Sequence, residues 1–243
     1  MKASLLLTCT ADLLYPASAR ACVTVLASFG VEVRFPRLQT CCGQPWLNTG
    51  HLDGVRRLAL HFLDVFEEAE TVVAISSSCA DTVRNQYADL FPDSPSLTAR
   101  FEAVAQRTYE FCEFLHRVLN IHEIPVHPAP VRTTYHSSCR TLRGIGLRGV
   151  AETYLTQMLG SDFVSLPENE TCCGFGGSFS VKLPEVSGRL LEDKLKNIAT
   201  TKASQVASLD MSCLTHLSTG AERAGLKGVR FLHLGELMAE VVA

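Results

Sequence analysis

A pattern of cysteines that occurs twice limits what this chain can fold into more than any other feature of its sequence. The segment Cys41-Cys42-Gly43 returns as Cys172-Cys173-Gly174 about 130 residues later. In each copy a lone cysteine precedes the pair by roughly 30 residues, and another follows it by roughly 40. We call Cys9, Cys41, Cys42 and Cys79 the first quartet, and Cys139, Cys172, Cys173 and Cys213 the second quartet. A pattern repeated together with its spacing predicts two tandem domains.

Hydrophobic periodicity alternates between strands and helices in both copies. The first copy predicts strands at 3–8, 31–35 and 71–75 and helices at 17–29, 51–69 and 80–90. The second predicts strands at 132–135, 163–166 and 203–209 and helices at 149–159, 185–200 and 214–224. This order predicts an α/β fold of two tandem pseudo-repeated domains, each with a small, mostly parallel sheet flanked by helices. The proline-rich stretch 121–130 is predicted to join a first domain, 1–124, to a second, 125–243.

The cysteines fall where a parallel sheet would bring them together. The lone cysteines and the pairs come shortly after the predicted strands of their copy. The carboxyl ends of parallel strands lie on one edge of the sheet, and ligands bind there where the strand order reverses. We therefore expect the four thiols of each quartet to converge on one edge and to form a metal site.

Three kinds of site use converging thiols. Structural disulfides are disfavoured because cytosolic thiols stay reduced and a bridge between adjacent cysteines is strained. Zinc sites usually place their cysteines in pairs about two to four residues apart, a spacing that neither quartet has. A larger iron–sulfur cluster can meet adjacent thiolates at different irons, and the following glycine lets backbone amides approach sulfur. The pattern favours clusters, with zinc as the alternative, whereas Cys22 and Cys112 are assigned to packing.

Composition and missing motifs exclude several other classes of function. With 22 basic and 25 acidic side chains the net charge is −3, so no basic surface for nucleic acid is expected. The composition is 47% hydrophobic and 19% charged, which is typical of a globular protein. The apolar stretch 21–31 is too short to span a membrane, and the N-terminal apolar run is too short for a secretion signal. We therefore expect a cytoplasmic protein. The sequence contains no dinucleotide fingerprint, nucleophile elbow or Walker loop.

The residues around the cysteines resemble a known family. The segments that carry the resemblance are TCCGQPWLNTGH, YHSSCRTLRGIG, ETCCGFGGSFSVKLPEVS and DMSCLTH. They are similar to the lactate utilisation protein A family, which is related to the cysteine-rich domains of heterodisulfide reductase and of the glycolate oxidase iron–sulfur subunit. The resemblance runs from residue 5 to the end of the chain.

The resemblance implies an iron–sulfur electron-transfer subunit of a complex that oxidises L-lactate to pyruvate. It implies one [4Fe–4S] cluster held by each quartet, and two partner subunits of which at least one is itself an iron–sulfur protein. Where heterodisulfide reductase has C-x-x-C at the end of each block, this chain has Ser76 and Asp210 at the leading positions. The alternatives are a subunit for thiol and disulfide redox chemistry, like heterodisulfide reductase, and a zinc-stabilised binding module.

Three further polar residues lie near the cysteines in sequence. His136 and His216 are candidates for ligands or proton carriers, but four cysteines already complete a site, so a helix start or a surface position is favoured for both. Asp210 is a candidate oxygen ligand, although an aspartate there more often caps the following helix.

Overall fold

A computed structural model describes residues 1–242 and contains two parallel sheets. The first sheet has the strand order β2-β1-β3-β4 and the second the order β5-β6-β7, with every neighbouring pair parallel. The strands are Lys2–Leu6 (β1), Glu32–Arg34 (β2), Val72–Ala74 (β3), Thr108–Glu110 (β4), Thr133–His136 (β5), Gln205–Ser208 (β6) and Arg230–His233 (β7).

Helices connect the strands and cover the sheets. The α-helices are Cys9–Leu14 (α1), Pro16–Ser28 (α2), Gln44–Leu47 (α3), Leu52–Phe66 (α4), Ser77–Asn85 (α5), Pro95–Ala105 (α6), Phe111–Glu113 (α7), Val150–Leu159 (α8), Phe179–Lys182 (α9), Pro184–Thr201 (α10), Met211–Arg223 (α11) and Leu234–Val242 (α12). Short 3₁₀ turns lie at Ala88–Leu90 and Gly160–Asp162, and π-helical turns at Phe114–Val118 and Arg140–Gly144. This architecture confirms the predicted fold class.

The first two paired strands of each sheet align in the same way. Leu6 at the end of β1 pairs with Ala74 of β3, and His136 at the end of β5 pairs with Ser208 of β6. The neighbours β1-β3-β4 of the first sheet therefore correspond to β5-β6-β7 of the second. In the first sheet β1 lies between β2 and β3, so the strand order reverses there and opens a crevice at the carboxyl edge.

The sequence pattern was wrong at one strand and missed two others. The predicted strand 163–166 is a single bridge between Thr133 and Phe163, extended by a hydrogen bond from the Val164 N–H to the Thr133 carbonyl at 2.9 Å. Beyond it Ser165 and Pro167 are exposed, and proline has no N–H with which to extend a ladder. The missed strands, β4 and β7, are only three and four residues long, too short to show a clear alternation.

The halves share an apolar core across a helix pair. The main cluster of buried apolar side chains runs from Ala3 to Met238, and α12 at the end of the chain packs against α2 near its start. Between these two helices Ser18 Oγ donates a hydrogen bond to Glu236 Oε1 at 2.6 Å. The predicted boundary between residues 124 and 125 lies in the connection 119–132, which has no helix or strand, and it stays a prediction. Within residues 1–242, no helix has the length and apolar character needed to cross a lipid bilayer.

Candidate metal centres

The first quartet meets at the carboxyl edge of the first sheet. Cys9 begins α1 directly after β1, Cys79 lies in the first turn of α5 after β3, and the Cys41-Cys42 pair precedes α3. The Sγ atoms of Cys9 and Cys41 are 3.4 Å apart, and those of Cys42 and Cys79 are 3.2 Å apart. Because Cys41 and Cys42 are adjacent, these contacts join the four thiols into one group.

The second quartet repeats this arrangement. Cys139 follows β5, and Cys213 lies in the first turn of α11 after β6. The Sγ atoms of Cys173 and Cys213 are 3.1 Å apart. The thiol of Cys139 contacts that of Cys172, and this contact and burial raise the pKa of Cys139 above its usual range. The structure thus brings the cysteines together as two separate groups of four, which are the two quartets predicted from the sequence.

The glycine after each pair has a structural reason. Gly43 and Gly174 have φ angles of 79° and 93°, in the left-handed region that favours glycine. Their N–H groups donate to the sulfurs of Cys41 at 3.4 Å and Cys172 at 3.3 Å. At position 174 a Cβ atom would lie 2.6 Å from the carbonyl oxygen of Ser187. Glycine therefore allows the backbone to approach and donate to the first sulfur of each pair.

The charge balance of the quartets favours a bound cation. All ten cysteines are free thiols. Hydrogen bonds from Cys139 and Cys173, with the Gly174 N–H, lower the pKa of the Cys172 thiol well below its usual range. Contact with Cys172 and Cys213, and then burial, raises the pKa of Cys173. Four crowded thiols cannot all ionise without a positive partner, so the donor set fits a metal centre ligated by thiolates, such as an iron–sulfur cluster.

The two cysteines outside the quartets are buried in the core, as predicted. Cys22 and Cys112 are fully buried. Cys22 Sγ lies 3.3 Å from His233 Nδ1, and that nitrogen also accepts a hydrogen bond from the Gly235 N–H. The Cys22 thiol is therefore the donor of the pair, and its contact is structural.

His136 lies in a different place from the one that the sequence favoured. The helix-start or surface assignment is wrong, because His136 ends strand β5 and is fully buried. One of its ring nitrogens and the Sγ atoms of Cys173 and Cys213 all lie within 4.8 Å of one another. Burial lowers the pKa of His136 to about 3, which keeps the imidazole neutral. His216 is half-buried within α11, where its ring contacts Phe175 with 5.6 Å between the ring centroids.

Asp210 caps a helix, as the sequence favoured, and it also joins the two halves. Its Oδ1 accepts hydrogen bonds from the N–H groups of Ser212 at 3.1 Å and Cys213 at 3.2 Å at the start of α11. Its Oδ2 accepts from the Ser78 N–H of α5 at 2.8 Å. In return, Ser76 Oγ accepts from the Met211 N–H at 3.3 Å. The two helices that carry Cys79 and Cys213 therefore begin in contact with each other.

Each quartet opens into a cleft. The second borders a narrow cleft of about 110 Å³ between the halves, to which the first half contributes Gln44, Asn48 and Ser78. Asn48 Nδ2 donates across it to the Gly176 carbonyl at 3.1 Å. Cys9 and Cys41 of the first quartet lie on the wall of a separate cleft of about 380 Å³. Both centres are therefore reachable from the surface.

A buried cation that was not predicted from the sequence lies near the second quartet. Lys194 is 1% exposed, and its Nζ donates to the carbonyl oxygens of Glu168 at 2.7 Å and Asn169 at 3.3 Å. Burial lowers the pKa of Lys194 to about 8, while the nearby thiols of Cys173 and Cys172 favour its charged form. The available signal was its place beside Leu195 and before Ile198, on the buried face of α10.

The fold and the site define a protein with two cysteine-rich domains of the CCG type. The family model described as "CCG: Cysteine-rich domain" matches residues 3–84 and 133–218. "Lactate utilization protein A" of Halalkalibacterium halodurans is 37% identical over 239 residues, which cover 98% of this chain and 96% of that protein. The Bacillus cereus (strain B4264) protein of the same name is 35% identical over 238 residues, 98% of both chains. The chain belongs to the lactate utilization protein A family, as its sequence indicated.

Proposed function

We propose that this chain is an iron–sulfur electron-transfer subunit that acts in the utilisation of lactate. Its relatives are named for lactate utilisation, and 98% of the chain aligns with them. The observation that carries the proposal is the convergence of two thiol quartets, one at each sheet, with sulfur contacts of 3.1 to 3.4 Å. In this proposal the first and second quartets each hold one [4Fe–4S] cluster.

The chain's own residues would bind and insulate such a cluster. When bound, the cluster supplies one-electron transfer. The N–H groups of Gly43 and Gly174 donate to sulfur and disperse its negative charge, while the buried thiols of Cys42 and Cys173 keep water from one side of each site. The exposed Cys9 leaves the first site open to a partner.

The environment of Ser76 and Asp210 favours four thiolate ligands in each site. Both side chains stand where heterodisulfide reductase has an additional cysteine, and both are occupied by backbone N–H donors from α5 and α11. The same hydrogen bonds join Ser78 to Asp210 and Asp210 to Cys213, so the two sites are connected by a short route through the protein. We propose that electrons pass between the sites along this contact.

The removal of two electrons from lactate is assigned to a partner. A hydride equivalent needs a two-electron acceptor, which is usually an organic cofactor, whereas clusters move single electrons. The chain has no dinucleotide fingerprint in its sequence. We propose that it works in the cytoplasm with two partner subunits, at least one of them an iron–sulfur protein, and that the lactate site lies on a partner or is shared with one.

The experiment follows the visible absorbance of the cluster-loaded chain under anaerobic conditions. L-lactate is expected to bleach this absorbance only when the partner proteins are present. The matched control is the chain with Cys42→Ser and Cys173→Ser, which should leave only the bleaching that the partners' own clusters give. If the loaded chain alone oxidises L-lactate at the rate of the whole complex, the assignment of the two-electron step to a partner is wrong.

A further inference from the structure

The two quartets are equivalent in the fold, but their surroundings differ at the residue that ends the first strand of each domain. His136 ends β5 and Leu6 ends β1, and each precedes the first cysteine of its quartet by three residues. They occupy the same register, because His136 pairs with Ser208 as Leu6 pairs with Ala74. The second domain therefore presents an imidazole where the first presents an aliphatic side chain.

The imidazole of His136 is buried without a hydrogen-bond partner. The residue is 0% exposed, and neither Nδ1 nor Nε2 has a partner among residues 1–242. The backbone carbonyl of His136, by contrast, accepts a hydrogen bond from Ser208 Oγ at 2.8 Å. A buried polar group left unpaired lowers stability, so a folded protein rarely keeps one without a role.

Two sulfurs of the second quartet lie near this ring. The ring nitrogen and the Sγ atoms of Cys173 and Cys213 lie within 4.8 Å of one another. Four thiolates already supply the protein ligands of a cluster, so the ring is not needed as a ligand. A neutral imidazole still carries one N–H, and a thiolate accepts a hydrogen bond.

We propose that His136 donates its ring N–H to the thiolate of Cys173 or Cys213 in the metal-loaded protein, and that this makes the second centre easier to reduce than the first. The inference rests on the proposed function, because it requires a redox centre in each quartet. Hydrogen bonds to sulfur are one of the factors that set the potential of an iron–sulfur cluster. By drawing negative charge from the sulfur, the bond stabilises the reduced form, which carries one more electron.

A second polar difference acts in the same direction. The buried ammonium of Lys194 on α10 lies near the second quartet and favours added negative charge there. The buried side chains of α4, the corresponding helix of the first domain, are apolar. Electrons would therefore pass from the first centre, which is oxidised in the step, to the second, which is reduced.

The test is an anaerobic redox titration of the loaded full chain, followed by electron paramagnetic resonance. The signal of the second centre is assigned by its loss in Cys173→Ser. We expect two midpoint potentials, the higher one belonging to the second centre. His136→Leu, which copies the residue of the first domain, should lower that potential and leave the first unchanged. His136→Gln keeps an N–H donor and should restore most of the shift, and Leu6→Met is the matched control that should move neither potential.

Three results would overturn the inference. The first is an unchanged second potential in a fully loaded His136→Leu protein. If that variant fails to hold the second centre, the unsubstituted protein is prepared with isotope-labelled histidine, and the nitrogen hyperfine interaction of the second centre is measured. A weak interaction supports donation of the ring N–H to sulfur.

The second contrary result is the absence of any nitrogen interaction in that measurement. The third is a strong interaction, which would show that the nitrogen is bound to iron. A chain without iron and sulfide would contradict the proposed function itself, and so is distinguishable from these.

Discussion

Single residues set the charge that each quartet carries. The thiols share protons with one another, and the N–H groups of Gly43 and Gly174 add one donor to each site. Within the second quartet, the hydrogen bond from Cys139 to Cys172 lowers the pKa of the Cys172 thiol and raises the pKa of the Cys139 thiol. A cation bound by all four would replace these shared protons, which is why binding should release protons.

Loss of one buried thiol should remove the metal of its own domain. We expect Cys42→Ser to lower the iron content of the chain by about half, because one ligand of a four-thiolate site is gone while the other site is intact. Cys173→Ser should do the same for the second site. Iron and acid-labile sulfide per chain are measured after anaerobic loading. The control is Cys112→Ala, a buried cysteine outside both quartets, and the loss of nearly all iron in either serine variant would mean that the quartets form one shared site.

A buried carboxyl gives the fold a pH dependence of its own. Burial raises the pKa of Glu110 from 4.5 to about 8, and the negative charges of Glu113 and Asp210 act in the same direction, whereas hydrogen bonds from the N–H groups of Glu113 and Cys112 oppose it. Because the unfolded chain ionises this group near pH 4.5, its contribution to stability is present below that pH and is lost as the pH rises to about 8. Glu110→Gln keeps an oxygen for the N–H groups of Cys112 and Glu113 but cannot ionise.

We therefore expect Glu110→Gln to gain stability relative to the natural chain between pH 5 and 8, by up to about 1.4 kcal/mol per pH unit. Urea unfolding of both proteins across this range measures the difference in the free energy of unfolding. The exposed Glu123→Gln is the control and should show no trend. A difference that is constant with pH would contradict the buried ionisation.

The sequence was more informative about residues that are repeated than about those that are not. The eight quartet cysteines could be identified because their spacing occurs twice, and chance does not repeat it. His136 and Lys194 have no such counterpart, since Leu6 occupies the position equivalent to His136. Their importance depends on burial beside sulfur, which is decided by packing between segments distant in the chain.

At the scale of elements, the lone cysteines of each quartet lie just after short parallel strands, at or near the start of a helix. The longest helices and the strands β1, β2, β3, β5 and β6 were predictable from their periodicity, as for 51–69, which is α4. Helix α5 begins at Ser77, three residues before the predicted start at 80, so Cys79 lies inside its first turn. The pattern could not show this, because the first turn of α5 is buried against the Leu209–Asp210 segment of the second domain.

The contact between α5 and α11 should make a measurable contribution to stability. Asp210→Ala removes the cap of α11 and leaves the Ser78 N–H without its acceptor, so we expect a loss of about 1–3 kcal/mol in the free energy of unfolding. Asp210→Asn keeps one oxygen acceptor and should lose less. Ser76→Ala, which removes the longer 3.3 Å hydrogen bond from Met211, is the matched comparison. Urea unfolding measures these free energies. If Asp210→Ala does not change the free energy of unfolding, the contact between α5 and α11 is not formed.

At the scale of the whole molecule, the two domains are not independent. The last helix, α12, packs on α2 of the first domain, and the main apolar core contains residues from both halves. Arg140 of the second half forms an ion pair with Asp81 of the first, and Asn85 donates to the Gly144 carbonyl at 3.0 Å. The duplicated sequence predicts two domains, but it contains no sign that they share a core.

This shared core should make the halves unfold together. Trp46 is the single tryptophan, and it lies in the first half. Ile198→Ala removes a buried side chain in the second half and should lower the stability by about 2–5 kcal/mol. We expect the urea midpoint of Trp46 fluorescence to fall with that of the circular dichroism. The control is Val181→Ala, at an 80% exposed position. If Ile198→Ala leaves the midpoint of Trp46 fluorescence unchanged, the halves unfold separately.

The most direct test of the account is the content of metal and sulfide in the anaerobically purified chain. We expect a brown protein with about four iron and four acid-labile sulfide for each quartet, and a paramagnetic signal after reduction. A colourless protein that binds zinc in stoichiometric amounts and contains no sulfide would contradict the assignment of the two quartets to iron–sulfur clusters.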